Sequence, residues 1–280
     1  MFNSFRQRGL SMVELLVTLA ISSFLILGIT QVYIDNKRNY VFQQSQAGNL
    51  ENSRFAVFML DELLSKAGYR RAPDQLMEDA FPVVNNVLTE HCAGFPKEAV
   101  LTKIKPDGNQ IGFCMRYQPA VADELTCDGV KAPLAKKIFG YPSQAETIYV
   151  AVKFTPHAND LNKGTLSCIS NIGTAEVELL DGIADLKVEF GAGMKDEKKL
   201  VALSPFKDAD SWTPANGPVR AVRYSVLAAS RNSQRDTESN IYTQWLEIAS
   251  TASKKRLEEQ DNNQIFQVAV GAQAIRNVMP

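Results

Sequence analysis

Two positions near the amino terminus, Gly9 and Glu14, carry the most specific chemistry in this sequence. Residues 1–9, MFNSFRQRG, hold Arg6 and Arg8 and no acid, and from Leu10 the chain reads LSMVELLVTLAISSFLILGITQVYI. A signal peptide cut downstream of its apolar run needs a small-residue site there, and Ser22, Ser23 and Gly28 make a poor one. Hydrolysis after Gly9 instead keeps the apolar run in the mature chain and frees an amine on Leu10. Glu14 is the acid of that run. An ionised carboxylate in hydrocarbon costs on the order of several kcal/mol unless it is paired or protonated. An interfacial acid reaching back to water is the plainer reading. The functional reading pairs it with the amine that cleavage creates four residues earlier: in an assembly of parallel helices, each Glu14 meets the Leu10 amine of the next chain.

Other reactive side chains are sparse. Cys92, Cys114, Cys127 and Cys168 form no CxxC pair, and His91 and His157 are the only histidines. A zinc site would need these scattered positions to converge. An even cysteine count behind a membrane-targeting segment reads better as two disulfides formed in an oxidising compartment. Four cysteines allow three connectivities; the preferred one is Cys92–Cys114 with Cys127–Cys168, near neighbours whose loops bracket strands, each bridge contributing about 2–4 kcal/mol. A thiol held in a disulfide is no nucleophile, so His91 beside Cys92 is not read as a catalytic pair. There is no GxSxG, HExxH, Walker A or helix-opening GxGxxG pattern. Gly191-Ala192-Gly193 reads as a turn, and Asp160–Gly164 and Asp236-Thr237-Glu238 as turn formers without calcium-loop spacing. No catalytic, cofactor-binding or metal residue is assigned, and no cofactor is expected. Arg220, Arg223, Arg231 and Arg235 are the one local excess of arginine. Arg220 and Arg223 fall on opposite faces of a strand, and the net charge is −1 with pI ≈ 6.2, so a DNA partner is not expected.

These residues need positioning elements. Leu15–Ile34 has no charged residue and spans roughly 30 Å as a helix, about one hydrocarbon core. Basic residues flank it on both sides (Arg6 and Arg8 before, Lys37 and Arg38 after), so charge alone does not orient it; the cysteines favour the bulk of the chain outside the cytoplasm. Leu50, Phe55, Phe58, Met59, Leu63 and Ala67 approximate i, i+3, i+4 spacing. Gly68, a basic pair and Pro73 then make a stop. One helix is therefore expected over 10–67, interrupted or bent near Gly28 and Thr30, apolar all round in its first half and amphipathic in its second. Strands are expected at Ile111–Tyr117, Thr147–Phe154, Thr165–Ile169, Ala175–Leu180, Leu186–Phe190, Ala221–Ala228, Tyr242–Ile248 and Phe266–Ala272. Phe81–Pro106 and Ser230–Asn240 read as surface loops, and Lys254–Asn263 as a solvated helix or loop. The fold class is α+β: a long N-terminal helix packed on an antiparallel sheet. The expected divisions are a leader over 1–9, a membrane and polymer-core helix over 10–34, its amphipathic continuation over 35–70, and a disulfide-bonded β-rich domain over 71–280.

Gly9 followed by Leu10-Ser11-Met12-Val13-Glu14 and an unbroken apolar helix resembles the class III signal of type IV pilins and pseudopilins. The resemblance implies cleavage between Gly9 and Leu10 by a prepilin peptidase and N-methylation of Leu10 by the same enzyme. Leu10 stands where that family usually has Phe. Arg54-Phe55-Ala56 with Leu60-Asp61 and Ala67-Gly68-Tyr69-Arg70 resembles the helix end of minor pilins of the PilW type. Leu180-Asp181-Gly182-Ile183, leading into Leu186–Gly191, is similar to an element of the same group. So are Val219-Arg220-Ala221-Val222-Arg223 and Ala274-Ile275-Arg276-Asn277. What this implies is a structural subunit, not an enzyme: a minor pilin in a priming or tip complex serving pilus assembly, twitching motility and adhesion. The implied partners are other minor pilins and the major pilin through the N-terminal helix, a pilus-tip adhesin, the prepilin peptidase and the inner membrane. The chain would be single-pass with its bulk periplasmic, then part of the fibre or its tip. The same patches occur more loosely in J-type pseudopilins of type II secretion systems, the second reading. A third reading, a membrane-anchored extracytoplasmic enzyme or binding domain, would need a polar constellation that the sequence does not show.

Overall fold

The computed structural model describes residues 11–105, 110–133, 141–193 and 205–278. These fall into two compact units, one ending at Gln44 and the other starting at Ser45. Helix α1 (Met12–Lys66) supplies the first unit and opens the second. It runs as regular helix through Gly28 and Thr30, where an interruption was expected. The reason is local. Thr30 Oγ1 donates to Ile26 O at 2.7 Å, and Thr18 and Ser23 bond the carbonyls of Leu15 and Ala20. Each hydroxyl is thus satisfied without opening the backbone ladder. The helix stops where Gly68 takes φ +73°, and a Cβ there would sit 2.8 Å from Val278 Cγ1. The freed Gly68 N–H donates to Arg116 O at 2.9 Å.

From Ser45 onward, α1 packs on two antiparallel sheets. The first has strands β1 (Leu101–Lys103), β2 (Ile111–Tyr117), β3 (Ile148–Thr155), β4 (Thr165–Ser170) and β5 (Val177–Leu180), in spatial order 1-2-3-4-5. The second has β6 (Ile183–Ala192), β7 (Lys207–Asp208), β8 (Val219–Ser233) and β9 (Gln264–Ala274), in spatial order 7-6-8-9. The main core joins Ala56, Leu60, Leu63 and Leu64 of α1 to Phe113 and Met115 of β2, Val150 and Val152 of β3, and Val222, Tyr224 and Val226 of β8. Each fully buried Leu among them contributes about 1.5–3 kcal/mol. A short helix, α2 (Met77–Ala80), leads into the segment over the outer face of the first sheet. There Cys92, Phe95 and Ile104 meet Cys114, Tyr149 and Ala151.

Two helices, α3 (Asn240–Ile248) and α4 (Thr251–Gln260), cover the face of the second sheet that carries Leu227 and Ala229. Tyr242–Ile248 is therefore helix, not the strand expected from its alternation. Ser239 caps α3 by accepting from Tyr242 N, and Ser250 caps α4 by accepting from Ser253 N. Trp245 is buried against Leu227, Leu257 and Phe266, and that packing favours the helical spacing. The segment expected as a loop over Phe81–Pro106 contains β1 and the bridges Val84↔Phe95 and Cys92↔Ile104. Ser230–Asn240 begins as the end of β8 and ends as the first residue of α3.

Candidate functional site

Gly9 and Leu10 lie outside the described residues. Glu14 sits in the first turn of α1, exposed, with no side-chain partner among the described residues. Every residue from Ser11 to Tyr40 is exposed, and the helix is long and apolar enough to cross a membrane, with a mean hydropathy of 2.3 in its best window. At the far end of the apolar run, Gln31 Nε2 bonds both carboxylate oxygens of Asp35, at 3.2 and 3.3 Å.

The second half of α1 corrects the expected apolar stripe. Its buried line is Ser45, Asn49, Ser53, Ala56, Leu60, Leu63 and Leu64, polar and small at first and apolar later. Asn49 Nδ2 donates to Ile265 O of β9 at 2.7 Å, so the small polar residues bring helix and strand into direct contact. Leu50, Phe55 and Phe58 point the other way and are 39%, 43% and 61% exposed. With Ala47, Glu51 and Arg54 they line a shallow surface groove. Their bulk drew the start of the stripe onto the wrong face, whereas Leu63 and Ala67 at its end are buried as expected.

The cysteines are joined Cys92–Cys114 and Cys127–Cys168, with Cα–Cα distances of 5.9 and 6.3 Å. Cys114 opposes Ala151 and Cys168 opposes Val152 on the shared strand β3. Ala151 and Val152 face opposite sides of the sheet, so the two bridges clip loops to opposite faces. His91 precedes Cys92 within the outer loop. Asp160 caps a single helical turn by accepting from Asn162 N at 3.0 Å. The arginine excess is engaged. Arg223 makes a bidentate pair with Glu189 at 2.7 and 2.8 Å. Arg235 pairs with Asp261, Arg231 with Asp181, and Arg220 donates to Val278 O.

Two buried polar centres had no signal in the sequence. Arg116 of β2 is fully buried, donating to the carbonyls of Ala99, Pro82, Phe81 and Pro96 at 2.6–3.0 Å. It lies between the rings of Phe81 and Phe95, at 5.2 and 5.0 Å. Burial pushes its pKa down to about 10. Asp185 of β6 is 2% exposed and accepts from Trp245 Nε1, Ser253 Oγ and Arg256, at 2.9, 2.9 and 3.0 Å. Burial raises its carboxyl despite those partners. Both centres bind protein elements to one another: Arg116 holds the 81–99 segment, and Asp185 anchors α3 and α4. Among the described residues, no group of three His, Cys, Asp or Glu is placed to hold a metal ion.

A family model described as the prokaryotic N-terminal methylation motif matches residues 4–30. The match covers the basic leader, Gly9, Leu10, Glu14 and most of the apolar run. The solved structure of the type IV-like pilin TTHA1219 from Thermus thermophilus is 12% identical, with a TM-score of 0.40, over 84% of this chain and 99% of that one. No curated protein matches. The chain therefore carries a prepilin-type methylation motif at the head of a long apolar helix whose second half packs on an antiparallel β domain.

Proposed function

We propose that this chain is a minor pilin of a type IV pilus, a structural subunit of the priming or tip complex. Cleavage between Gly9 and Leu10 exposes the Leu10 amine, which is N-methylated. Leu15–Ile34 anchors the chain in the inner membrane, and the disulfide-bonded domain lies on the periplasmic side. On assembly the same helix leaves lipid for the company of neighbouring pilin helices. Glu14 sets register there by pairing with a neighbour's Leu10 amine, an attraction strengthened where water is excluded. Other minor pilins, the major pilin and a tip adhesin are the partners this role requires.

The observation that carries the reading is the methylation motif at 4–30, which runs into a helix whose apolar residues are exposed from Met12 to Ile34. Exposed Leu50, Phe55 and Phe58 continue that apolar character beyond the span and support a helix that docks on other helices.

The test is the amino terminus of the membrane-extracted chain made with its own prepilin peptidase. Mass spectrometry is expected to find N-methylated Leu10; a chain still carrying residues 1–9 would sink the proposal. Sheared pili are expected to contain the protein, and Glu14→Val to deplete it from them. Recovery in a secretion pseudopilus instead would transfer the chain to the J-type pseudopilins.

A further inference from the structure

The turn between β7 and β8 carries a reactive pair that the assembly role does not use. Asn216-Gly217 is the one Asn-Gly pair in the sequence. Its chemistry is internal. The Gly217 nitrogen attacks Asn216 Cγ, closing a five-membered succinimide and releasing ammonia; water then opens the ring to aspartate or isoaspartate. Glycine is the following residue that hinders this attack least, because it has no Cβ beside the nitrogen. The three Asp-Gly pairs, at Asp107, Asp128 and Asp181, compete poorly. Their ring closure expels hydroxide from a protonated carboxyl, and aspartates are ionised at neutral pH.

The fold sets this pair where water reaches one residue and the core leans on the other. Asn216 is exposed and Gly217 is buried. They follow from a single helical turn, Pro214–Asn216, after which Gly217 takes φ +91°. Asn216 Oδ1 accepts from Thr213 N at 2.9 Å and from Thr213 Oγ1 at 3.1 Å, so the side chain is folded back toward the residue before the turn. Gly217 N donates to Pro214 O at 3.2 Å. Both reacting groups are thereby held: the amide is turned toward Thr213, and the N–H that must lose its proton is engaged with a carbonyl. On the inner side, Gly217 O accepts from Trp212 Nε1 at 3.1 Å, and Pro218 O accepts from Gly193 N at 2.9 Å. Trp212 is 4% exposed and meets Phe190 of β6 edge-on in the main core, with 6.2 Å between ring centroids.

We propose that Asn216 is a site of spontaneous modification latched by Thr213: Gly217 N closes on Asn216 Cγ when the two Thr213 bonds open, and the isoaspartate product unseats Trp212. In that product the main chain runs through the former side chain. It gains one carbon between Asn216 Cα and Gly217 N, and the former Asn216 carbonyl becomes a free carboxylate. Ammonia leaves and one water enters, with no other reactant. The added carbon moves Gly217 O away from Trp212 Nε1 and leaves a buried donor without its acceptor. Thr213 and Asn216 are both exposed, so the latch opens locally and does not require the domain to unfold.

The test incubates the full chain, in detergent micelles and mildly alkaline buffer, and maps its peptides by mass spectrometry over time. Deamidation is expected first at Asn216, about tenfold slower than at the same residue in the urea-unfolded chain. Thr213→Ala is expected to speed it about fivefold, and Thr213→Ser, which keeps both donors, to leave it within about twofold of the unsubstituted chain. Tryptophan emission is expected to move to longer wavelength as isoaspartate accumulates, and to hold steady over time in Asn216→Ser, which cannot close the ring. The comparison of folded with unfolded chain needs no substitution. Equal rates in those two states, earlier deamidation elsewhere, or a rate indifferent to Thr213→Ala would overturn the proposal. So would isoaspartate accumulating with unchanged emission, since Trp212 would then not feel the product.

Discussion

The Tyr224 hydroxyl of β8 donates a 2.5 Å hydrogen bond to Asp61 Oδ1 on α1, and its ring lies across the bare Cα of Gly271 on β9. A Cβ at 271 would meet the ring at 2.3 Å. The strand thus lacks a side chain at the point where a tyrosine from its neighbour reaches the helix. Tyr224→Phe is expected to cost about 1.5–3 kcal/mol, the range for a bond to a charged acceptor. Gly271→Ala is expected to destabilise as well, by displacing the ring. In the Tyr224→Phe background the extra cost of Gly271→Ala persists, because the ring remains while the bond is already gone. Urea unfolding of the four variants measures this, and additive losses would show that ring and hydroxyl act separately.

Arg116 is a buried cation held by carbonyls. Arg116→Leu leaves those carbonyls without a donor, at about 1–3 kcal/mol each where water stays excluded. Arg116→Lys keeps the charge but cannot reproduce a planar fork aimed at four acceptors. Both variants are expected to lose stability and to expose the 81–99 segment to protease before the rest of the domain. Limited proteolysis with mapped cleavage sites checks the order.

The two faces of α1 should separate by phenotype. Leu60→Ala, at a fully buried position, is expected to cost about 2–5 kcal/mol. Phe58→Ser, two residues earlier and mostly exposed, is expected to change the unfolding free energy by less than about 0.5 kcal/mol. Under the proposed function, Phe55→Ser with Phe58→Ser still lowers recovery in sheared pili. A stability loss from the double variant comparable to that of Leu60→Ala would mean that this face is needed for folding.

The stability profile against pH should fall at both extremes. Glu189 is held below its usual value near 4.5 by the hydrogen bonds from Arg223, with Lys187 assisting. A depressed carboxylate contributes stability that is present above its unfolded pKa and lost as pH falls through the folded one. At the other end, burial pushes Tyr242 up to about 12 and raises Tyr117 and Tyr224 as well. A raised phenol contributes stability that is fully present below about 10 and lost as pH climbs toward the folded value. Through these groups urea midpoints are expected to drop as Glu189 protonates and again above about pH 10, while Asp185, whose carboxyl burial raises, opposes the acid limb. Arg223→Met should flatten part of the acid limb.

The legible parts of this molecule were those in which one local pattern prevailed. Ile111–Tyr117 alternates without competing helix signals, and its bounds were readable. Tyr242–Ile248 satisfies both a two-residue and a three-to-four-residue spacing, and the deciding features were the serine caps at 239 and 250. The helix face was read correctly at Leu63 and Ala67 but misread before them, because Phe55 and Phe58 outweigh Ser45, Asn49 and Ser53 on any hydrophobic count. Close packing on β9 calls for small residues and a hydrogen bond there, not bulk. Arg116 was invisible: nothing local distinguishes a strand arginine in solvent from one surrounded by carbonyls contributed by residues 17 to 35 positions earlier.

The contact of Asn277 with the end of α1 has a mechanical consequence. Its Nδ2 donates to both Ser65 O and Ala67 O at 3.0 Å, while Asn49 ties the start of β9 to the same helix. Helix and strand run in the same direction between these two ties. A pull along α1 therefore loads Asn49, Tyr224–Asp61 and Asn277 together, as rivets in a lap joint share a shear force, instead of peeling them one at a time.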